Sequence, residues 1–330
     1  PFEEMKHIFE PVITKSIEPE KPQDLPKLVE ILKKVAKEDP SIKVTINVET
    51  GENLIHGMGE LHLEIVENRI KDERHFPVKV GAPIVVYRET IEKKSDEVEG
   101  KSPNKHNKFY VIVEPIEPEI FKAIKEGRIP EGRIKKKEGT LYEEFEKLGI
   151  PVKEGRKIRE IFHGNMLVDG TRGIVSIGEV QEMINDGFEQ VMKEGPLCRD
   201  PCTGVKVTIT DCKLHEDAIH RGPAQVYPAV RSAIKQAMMQ TGALMYEPVQ
   251  VLQIEAPPEY IGELSRLVQN KRGQLIDMQQ EESHMTMKAK LPVAEMFGFS
   301  NDLRSATSGR GNHFMVDQMF EKVPSDLQPK

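Results

Sequence analysis

Leu214-His215-Glu216-Asp217-Ala218-Ile219-His220-Arg221-Gly222 puts two histidines, two acids and an arginine into one short run. Upstream, Val205, Val207 and Ile209 alternate with polar residues, the period of a half-buried strand. Downstream, Tyr227, Val230, Ile234 and Ala237 recur at helical spacing and stop before Gly242. The spacing therefore predicts a strand, a polar connection and a helix, with His220 in the connection. A connection held by regular elements at both ends presents its side chains at a defined point of the surface.

Taken alone, His220 has several readings. It could be an ordinary solvated histidine, a general acid/base paired with Asp217, or a metal ligand with His215 and Cys212. Zinc sites pair Cys or His at short fixed spacings. The nearest such pair here is Cys198 and Cys202, with Asp200 and Pro201 between them, and it does not form a zinc pattern. No nucleophile and no glycine-rich oxyanion loop accompanies the histidine.

To either side of this region the pattern repeats. The first segment reads as a strand (Val12 to Ile17), a helix (Asp24 to Glu38), strands (Ile42 to Val48 and Asn53 to Gly57), a helix (Glu60 to Glu73) and a strand (Val78 to Val80), an order of βαββαβ. Asp24 is the expected N-cap, and Leu28, Ile31, Leu32 and Val35 form one apolar face of the first helix. Leu61, Ile65 and Ile70 are expected to form the buried face of the second. The same order returns near the C-terminus. Val249, Val251 and Ile254 give a strand, and Ile261, Leu264, Leu267 and Val268 a helix that turns at Lys271-Arg272-Gly273. Strands follow around Leu275 and through Met285, Met287, Ala289 and Leu291. A short helix from Asn301, capped by Ser300 and ended by Gly309, precedes a strand through Phe314 and Val316. The predicted fold class is α+β and multidomain, with two ferredoxin-like (βαββαβ) units around a larger middle region. Such a fold implies no function by itself.

In the middle region, Phe109, Val111 and Val113 alternate in a strand after the polar loop Ser102-Pro103-Asn104-Lys105-His106-Asn107. A capping box at Ser176 and Glu179 opens a helix that buries Ile177, Val180, Ile184, Phe188 and Val191. The charged stretch from Lys122 to Arg159 is expected to be a solvated helical insertion.

Composition bounds the function. The 330-residue chain has a net charge of −7, no tryptophan and 5% aromatic residues, so any RNA contact must be local rather than spread over a basic surface. Three cysteines without a framework pattern fit reduced thiols and a cytoplasmic protein. No segment reads as a signal peptide or membrane span, and no membrane partner is expected. The start at Pro1-Phe2-Glu3 and the end at Asp326-Leu327-Gln328-Pro329-Lys330 suggest a chain cut from a longer one. No Gly-x-x-x-x-Gly-Lys-Ser/Thr loop occurs, and Asn-Lys appears only before His-Asn, Phe-Tyr and Arg-Gly. The expectation is therefore no GTPase, no catalytic residue, no cofactor and no metal in this piece.

The Asp217-Ala218-Ile219-His220-Arg221-Gly222 string closely resembles the tip loop of translational elongation factor two, the archaeal and eukaryotic counterpart of elongation factor G. Here Pro223-Ala224-Gln225 follows Gly222, where eukaryotic members of the family usually continue with glycines, which implies a stiffer exit. Gly57-Met58-Gly59-Glu60-Leu61-His62-Leu63-Glu64 is similar to the signature of that family's third domain. Val86-Tyr87-Arg88-Glu89 is similar to the hinge into its fourth domain, and the Ser102 to Asn107 loop to a second tip loop. Phe297-Gly298-Phe299 with Asp302-Leu303-Arg304-Ser305 resembles the fifth-domain motif.

The resemblance implies a ferredoxin-like domain over 1–88, a ribosomal-protein-S5-domain-2-like domain over 89–246, a ferredoxin-like domain over 247–319 and the start of a truncated segment over 320–330. It implies that His220 is the diphthamide position and the target of ADP-ribosylating toxins. The RNA-facing tip then comprises Ser102, Pro103, Asn104, Lys105, His106, Asn107, Lys108, His215, Asp217, His220, Arg221 and Gly222, with Lys105, His106, Lys108 and Arg221 offering phosphate contacts. Glu60 and His62 are expected to serve packing and capping. The implied partners are the small-subunit decoding-site RNA of the ribosome, tRNA, mRNA and the diphthamide-synthesis enzymes, engaged by a cytoplasmic monomer. GTP and Mg belong to the GTPase domain of the full-length protein. The alternatives are a fragment of a related ribosome-assembly or splicing GTPase, a stand-alone RNA-binding module, or a free-standing enzyme using His220 and Asp217.

Overall fold

The computed structural model describes residues 10–46, 53–134, 139–171, 177–281 and 284–329. The chain forms two compact units, one of residues 1–87 and 247–321, the other of 88–246 and 322–330. The architecture is α+β with three sheets.

In the first unit, β1 (Ile13–Pro19), α1 (Leu25–Glu38), β2 (Lys43–Ile46), β3 (Asn53–Gly57), α2 (Glu60–Asn68) and β4 (Val78–Val80) follow the predicted order, and β5 (Ile84–Val85) adds a short strand against β1. The sheet order β2-β3-β1-β4 is ferredoxin-like. α1 turns Leu28, Ile31, Leu32 and Val35 into the core, each such side chain contributing about 1.5–3 kcal/mol of burial. Asp24 precedes α1 but makes no capping bond through its side chain. The predicted extension of β2 to Val48 and the capping residue Ser176 lie outside the described residues.

The face assigned to α2 needs correction. Leu61 is 61% exposed and Ile65 44%, while Leu63, Val66 and Ile70 are buried. Spacing offers two apolar stripes on this helix, one through 61 and 65 and one through 63, 66 and 70. Leu63 seats over the bare backbone of Gly57, where a β-carbon would come within 2.7 Å of it, and that fit selects the second stripe.

The second unit contains β6 (Arg88–Thr90), β7 (Val98–Lys101), β8 (Lys108–Pro115), α3 (Pro118–Lys125), β9 (Gly132–Arg133), α4 (Gly139–Lys147), α5 (Val152–Gly155), β10 (Ile158–Phe162), β11 (Asn165–Asp169), α6 (Ile177–Lys193), β12 (Val205–Lys213) and α7 (Pro223–Gln240). Its sheet runs β7-β8-β12-β11-β10-β9. Among the described strands of this sheet, only β11 and β12 pair in parallel, joined by the crossover helix α6. Phe109, Val111 and Val113 of β8 and Val205, Val207 and Ile209 of β12 pack against α6 and α7 in one core.

The charged stretch from Lys122 to Arg159 is not a solvated helical insertion. Ile120, Ile124, Ile129, Leu141, Phe145, Ile158 and Ile161 form a second core with Met166. Charged residues between these positions mask their spacing; those of the three short helices, such as Lys125, Glu143, Glu146 and Lys153, are exposed.

The remaining elements are β13 (Leu244–Ala256), α8 (Ile261–Asn270), β14 (Gln274–Gln280), β15 (Met285–Pro292), α9 (Phe299–Ala306) and β16 (Asn312–Lys322). They repeat the ferredoxin-like order as β14-β15-β13-β16. Leu264 and Met287 are fully buried and Leu267 packs against them partly exposed. α9 begins at Phe299 after Gly298, earlier than the predicted Ser300 cap. Within the first unit the Gly298 N–H donates to Glu60 Oε2 (2.9 Å), so Glu60 ties the two ferredoxin-like sheets together. His62 accepts from the Met58 N–H and faces Asp39 at 3.1 Å, a local structural role. Residues after β16 return to the second unit, where the Val323 N–H donates to the Met245 carbonyl (3.0 Å).

Candidate nucleic-acid interface

Sheet register brings the two polar loops to one end of the second unit. Lys101 lies opposite Lys108 across the β7-β8 hairpin, and Lys108 lies opposite Lys213 at the end of β12. Residues 102–107 and 214–222 therefore leave adjacent strands side by side, although more than a hundred positions separate them in the chain.

Hydrogen bonds join the loops. Asn107 Nδ2 donates to the His220 carbonyl (2.7 Å), and the His215 N–H donates to Asn107 Oδ1 (3.0 Å). The Asn104 N–H donates to Gln225 Oε1 (2.9 Å), which adds the first turn of α7 to the cluster. The rings of His106, His215 and His220 meet with centroids 4.5 to 5.2 Å apart.

Predicted tip residues divide into a supported interior and an open exterior. Ser102 and Asn107 are buried, whereas Pro103, Lys105, His106 and Asp217 are exposed, and Asn104, Lys108, His215, His220, Arg221 and Gly222 are half-buried. Lys105 holds a left-handed backbone (φ 62°) at the apex of its loop. Gly222 opens α7, with Pro223 in its first turn. Asp217 caps the turn that holds His220, its carboxylate accepting from the Ile219 N–H (3.1 Å). That carboxylate makes no bond to the His220 ring among the described residues, so an acid/base pair gains no geometric support.

Two expected phosphate contacts are otherwise engaged. Arg221 is turned inward, with its side chain 11% exposed; it pairs with Glu179 Oε2 (3.0 Å) and donates to the Glu216 carbonyl (3.2 Å). It braces the loop from behind. Lys108 pairs with Glu99 at 3.1 Å. Lys101, Tyr110 and Lys108 together hold the Glu99 carboxyl down at about 2. The open positive charge of the tip thus falls to Lys105.

Sequence reasoning missed Gln225 and Glu179 as supports. It also missed Ile219, which is 79% exposed beside His220. Gln225 carried a usable signal, a polar side chain in the first helical turn facing the loop. Glu179 carried none, since only the fold brings α6 beneath Arg221. Among the described residues no group of three or more His, Cys, Asp or Glu is arranged to hold a metal ion, and no helix is long and apolar enough to cross a membrane.

Comparison with known proteins covers nearly the whole chain. The family model for elongation factor G, domain III matches residues 8–82, that for elongation factor G, domain IV matches 127–242, and that for the elongation factor G C-terminus matches 244–330. Elongation factor 2 of Nanoarchaeum equitans is 51% identical over 99% of this chain and 44% of its own length. That of Methanocaldococcus jannaschii is 50% identical over 99% of the chain and 46% of its own length. That of Pyrococcus horikoshii is 49% identical over 99% of the chain and 44% of its own length. The chain spans less than half the length of these relatives.

Proposed function

The chain belongs to the elongation factor 2 family, in the part that carries the family's domains III, IV and C-terminus, and on that premise we propose that it is the effector part of a translational translocase. The second unit, residues 89–246 in the main, acts as the domain that enters the decoding site of the small ribosomal subunit. There it follows tRNA and mRNA and stops them slipping back. Residues 1–88 and 247–319 act as the flanking ferredoxin-like domains, while 320–322 complete β16 and the residues after it pack on the second unit. GTP and Mg are handled by the GTPase domain of the full-length, cytoplasmic, monomeric factor, and the part described here performs no chemistry of its own.

One observation carries this reading. Two loops far apart in sequence are bonded into a single tip that exposes Lys105, His106 and Ile219 and presents the His220 ring above a hydrogen-bonded base. A pre-ordered surface of this kind positions a ligand without having to freeze on binding. His220 is the proposed diphthamide site, served by diphthamide-synthesis enzymes and open to ADP-ribosylating toxins. Added bulk and positive charge at this point would meet phosphate and sugar, contacts that fix register rather than sequence.

The test is reading-frame maintenance by the full-length factor. His220→Ala and Lys105→Ala are expected to raise slippage while leaving nucleotide hydrolysis nearly intact. Unchanged frame maintenance with impaired hydrolysis would refute the reading and give the tip a catalytic role.

A further inference from the structure

We propose that Asn107 is the positioning residue of the tip, its single carboxamide setting where residue 220 stands relative to the hairpin loop. The inference rests on the reading of the tip given above and deepens it. Asn107 is fully buried at the end of the Ser102 to Asn107 loop. Its two side-chain ends reach opposite ends of the neighbouring loop: Oδ1 accepts from the His215 N–H (3.0 Å), and Nδ2 donates to the His220 carbonyl (2.7 Å). One planar group thereby spans the six residues from His215 to His220 and fixes the two ends against each other.

The same residue is seated from below. Its backbone N–H donates to Ser102 Oγ (3.0 Å), Nδ2 also donates there (3.3 Å), and its carbonyl accepts from the Ser102 N–H (3.0 Å). Every donor of the carboxamide is used and the acceptor faces a donor, so the group cannot be turned over without placing like against like. Aspartate is nearly the same size and keeps the acceptor for His215, but it sets a carboxylate oxygen against the His220 carbonyl. Asparagine fits both contacts, and a longer glutamine would overfill a fully buried position. Asn104 adds a second, longer contact to the His220 carbonyl (3.4 Å) and cannot replace the first. With the main chain so held, the His220 ring packs against His215 at 4.5 Å and His106 at 5.2 Å.

The experiment compares Asn107→Asp and Asn107→Ala in the full chain with ring-labelled histidines. It follows amide exchange at His215, contacts between the His106, His215 and His220 rings, and the melting temperature. In Asn107→Asp the His215 amide is expected to stay protected while the His220 ring contacts are lost. In Asn107→Ala both are expected to be lost, with exchange at His215 at least tenfold faster. A merely structural role would lower the melting temperature without separating the two readouts. Ring contacts and protection that persist in Asn107→Ala overturn the proposal. If that variant does not fold, Ser102→Ala, with Asn104→Ala as the control for the bond the Ser102 hydroxyl also makes to Asn104 Oδ1 (2.5 Å), removes the hydroxyl that seats the carboxamide. Loosened His220 contacts there support the proposal, and unchanged ones overturn it. Loosened rings in Asn107→Asp with unaltered frame maintenance by the full-length factor would instead sink the translocase reading and leave the role of Asn107 standing.

Discussion

Gly100→Ala should disturb the tip from outside it. Gly100 lies in β7 beneath α7, where a β-carbon would fall 2.2 Å from the Ala229 carbonyl oxygen and 2.7 Å from Ala233 Cβ. The nearer obstacle is helix backbone, which cannot rotate aside, so β7 and α7 must part by roughly 1 Å to restore van der Waals contact. Overpacking of this kind costs about 1–3 kcal/mol, and the alanine recovers roughly 0.5 kcal/mol by restricting the unfolded chain. The net loss is about 1.5 kcal/mol, or about 3–6 °C of melting temperature for a unit of this size. β7 carries the 102–107 loop and α7 carries Gln225, so the same parting strains the Asn104 N–H bond to Gln225 Oε1. Calorimetry and amide exchange at Asn104 test both effects. Gly178→Ala is the control, since nothing lies within 4 Å of a β-carbon there; it should stabilise α6 by roughly 0.5 kcal/mol. A melting temperature within 1 °C of the parent together with an unchanged Asn104 amide would refute the argued contact between β7 and α7.

Three other buried or strained positions set tests of their own. Glu89 is fully buried and accepts the N–H groups of Leu197 (2.8 Å), Cys198 (2.8 Å) and Asp200 (3.1 Å). Glu89→Gln turns an amide donor toward one of them and should cost about 2–4 kcal/mol, with faster exchange at all three amides; unaltered exchange would contradict it. Burial first, and Glu189 beside it, push the Glu160 carboxyl up to about 8 against the pull of Arg133. Arg133 also binds Asp186 and Glu189 of α6, Lys193 pairs with Glu189, and Tyr227 donates to Asp186. The raised value means that Glu160 favours folding while protonated. Its contribution is full below the ordinary carboxylate range and declines as pH rises from about 5 toward 8. Urea midpoints measured across that window should fall in the parent and flatten in Glu160→Gln; equal slopes would count against the assignment. Lys105→Gly should be more stable than Lys105→Ala by roughly 1 kcal/mol, because the left-handed backbone at this apex penalises any β-carbon. Denaturation midpoints of the two variants decide it.

How much was legible depended on whether a signal was local. Element order in both ferredoxin-like sheets follows from period and turn residues, because α1, α8 and β15 each have one apolar face. The face of α2 was not legible, because Leu61 and Ile65 have the same spacing as the buried stripe and only contact with Gly57 chooses between them. The second core under α3 and α4 was hidden by charge density, since its isoleucines and Phe145 sit singly between lysines and glutamates. Both tip loops were recognisable from their residues, and the family resemblance, with each loop flanking a strand of one domain, made their meeting an expectation. The inward turn of Arg221 was not available, because its partner Glu179 belongs to a helix whose place against the loop is set by tertiary packing alone.

The bonds that fix position 220 from the hairpin side grip its main-chain carbonyl, from Asn107 Nδ2 and Asn104 Nδ2. Any amino acid but proline keeps that carbonyl together with the main-chain N–H that donates to the Asp217 carbonyl (3.1 Å), so the mount is indifferent to the other side chains it displays. Enlarging or charging the imidazole can proceed without unfastening the backbone beneath it, and substitutions at 220 should leave folding nearly level. A saturation scan of this position would therefore read out what the tip touches, with protein stability almost silent in the signal.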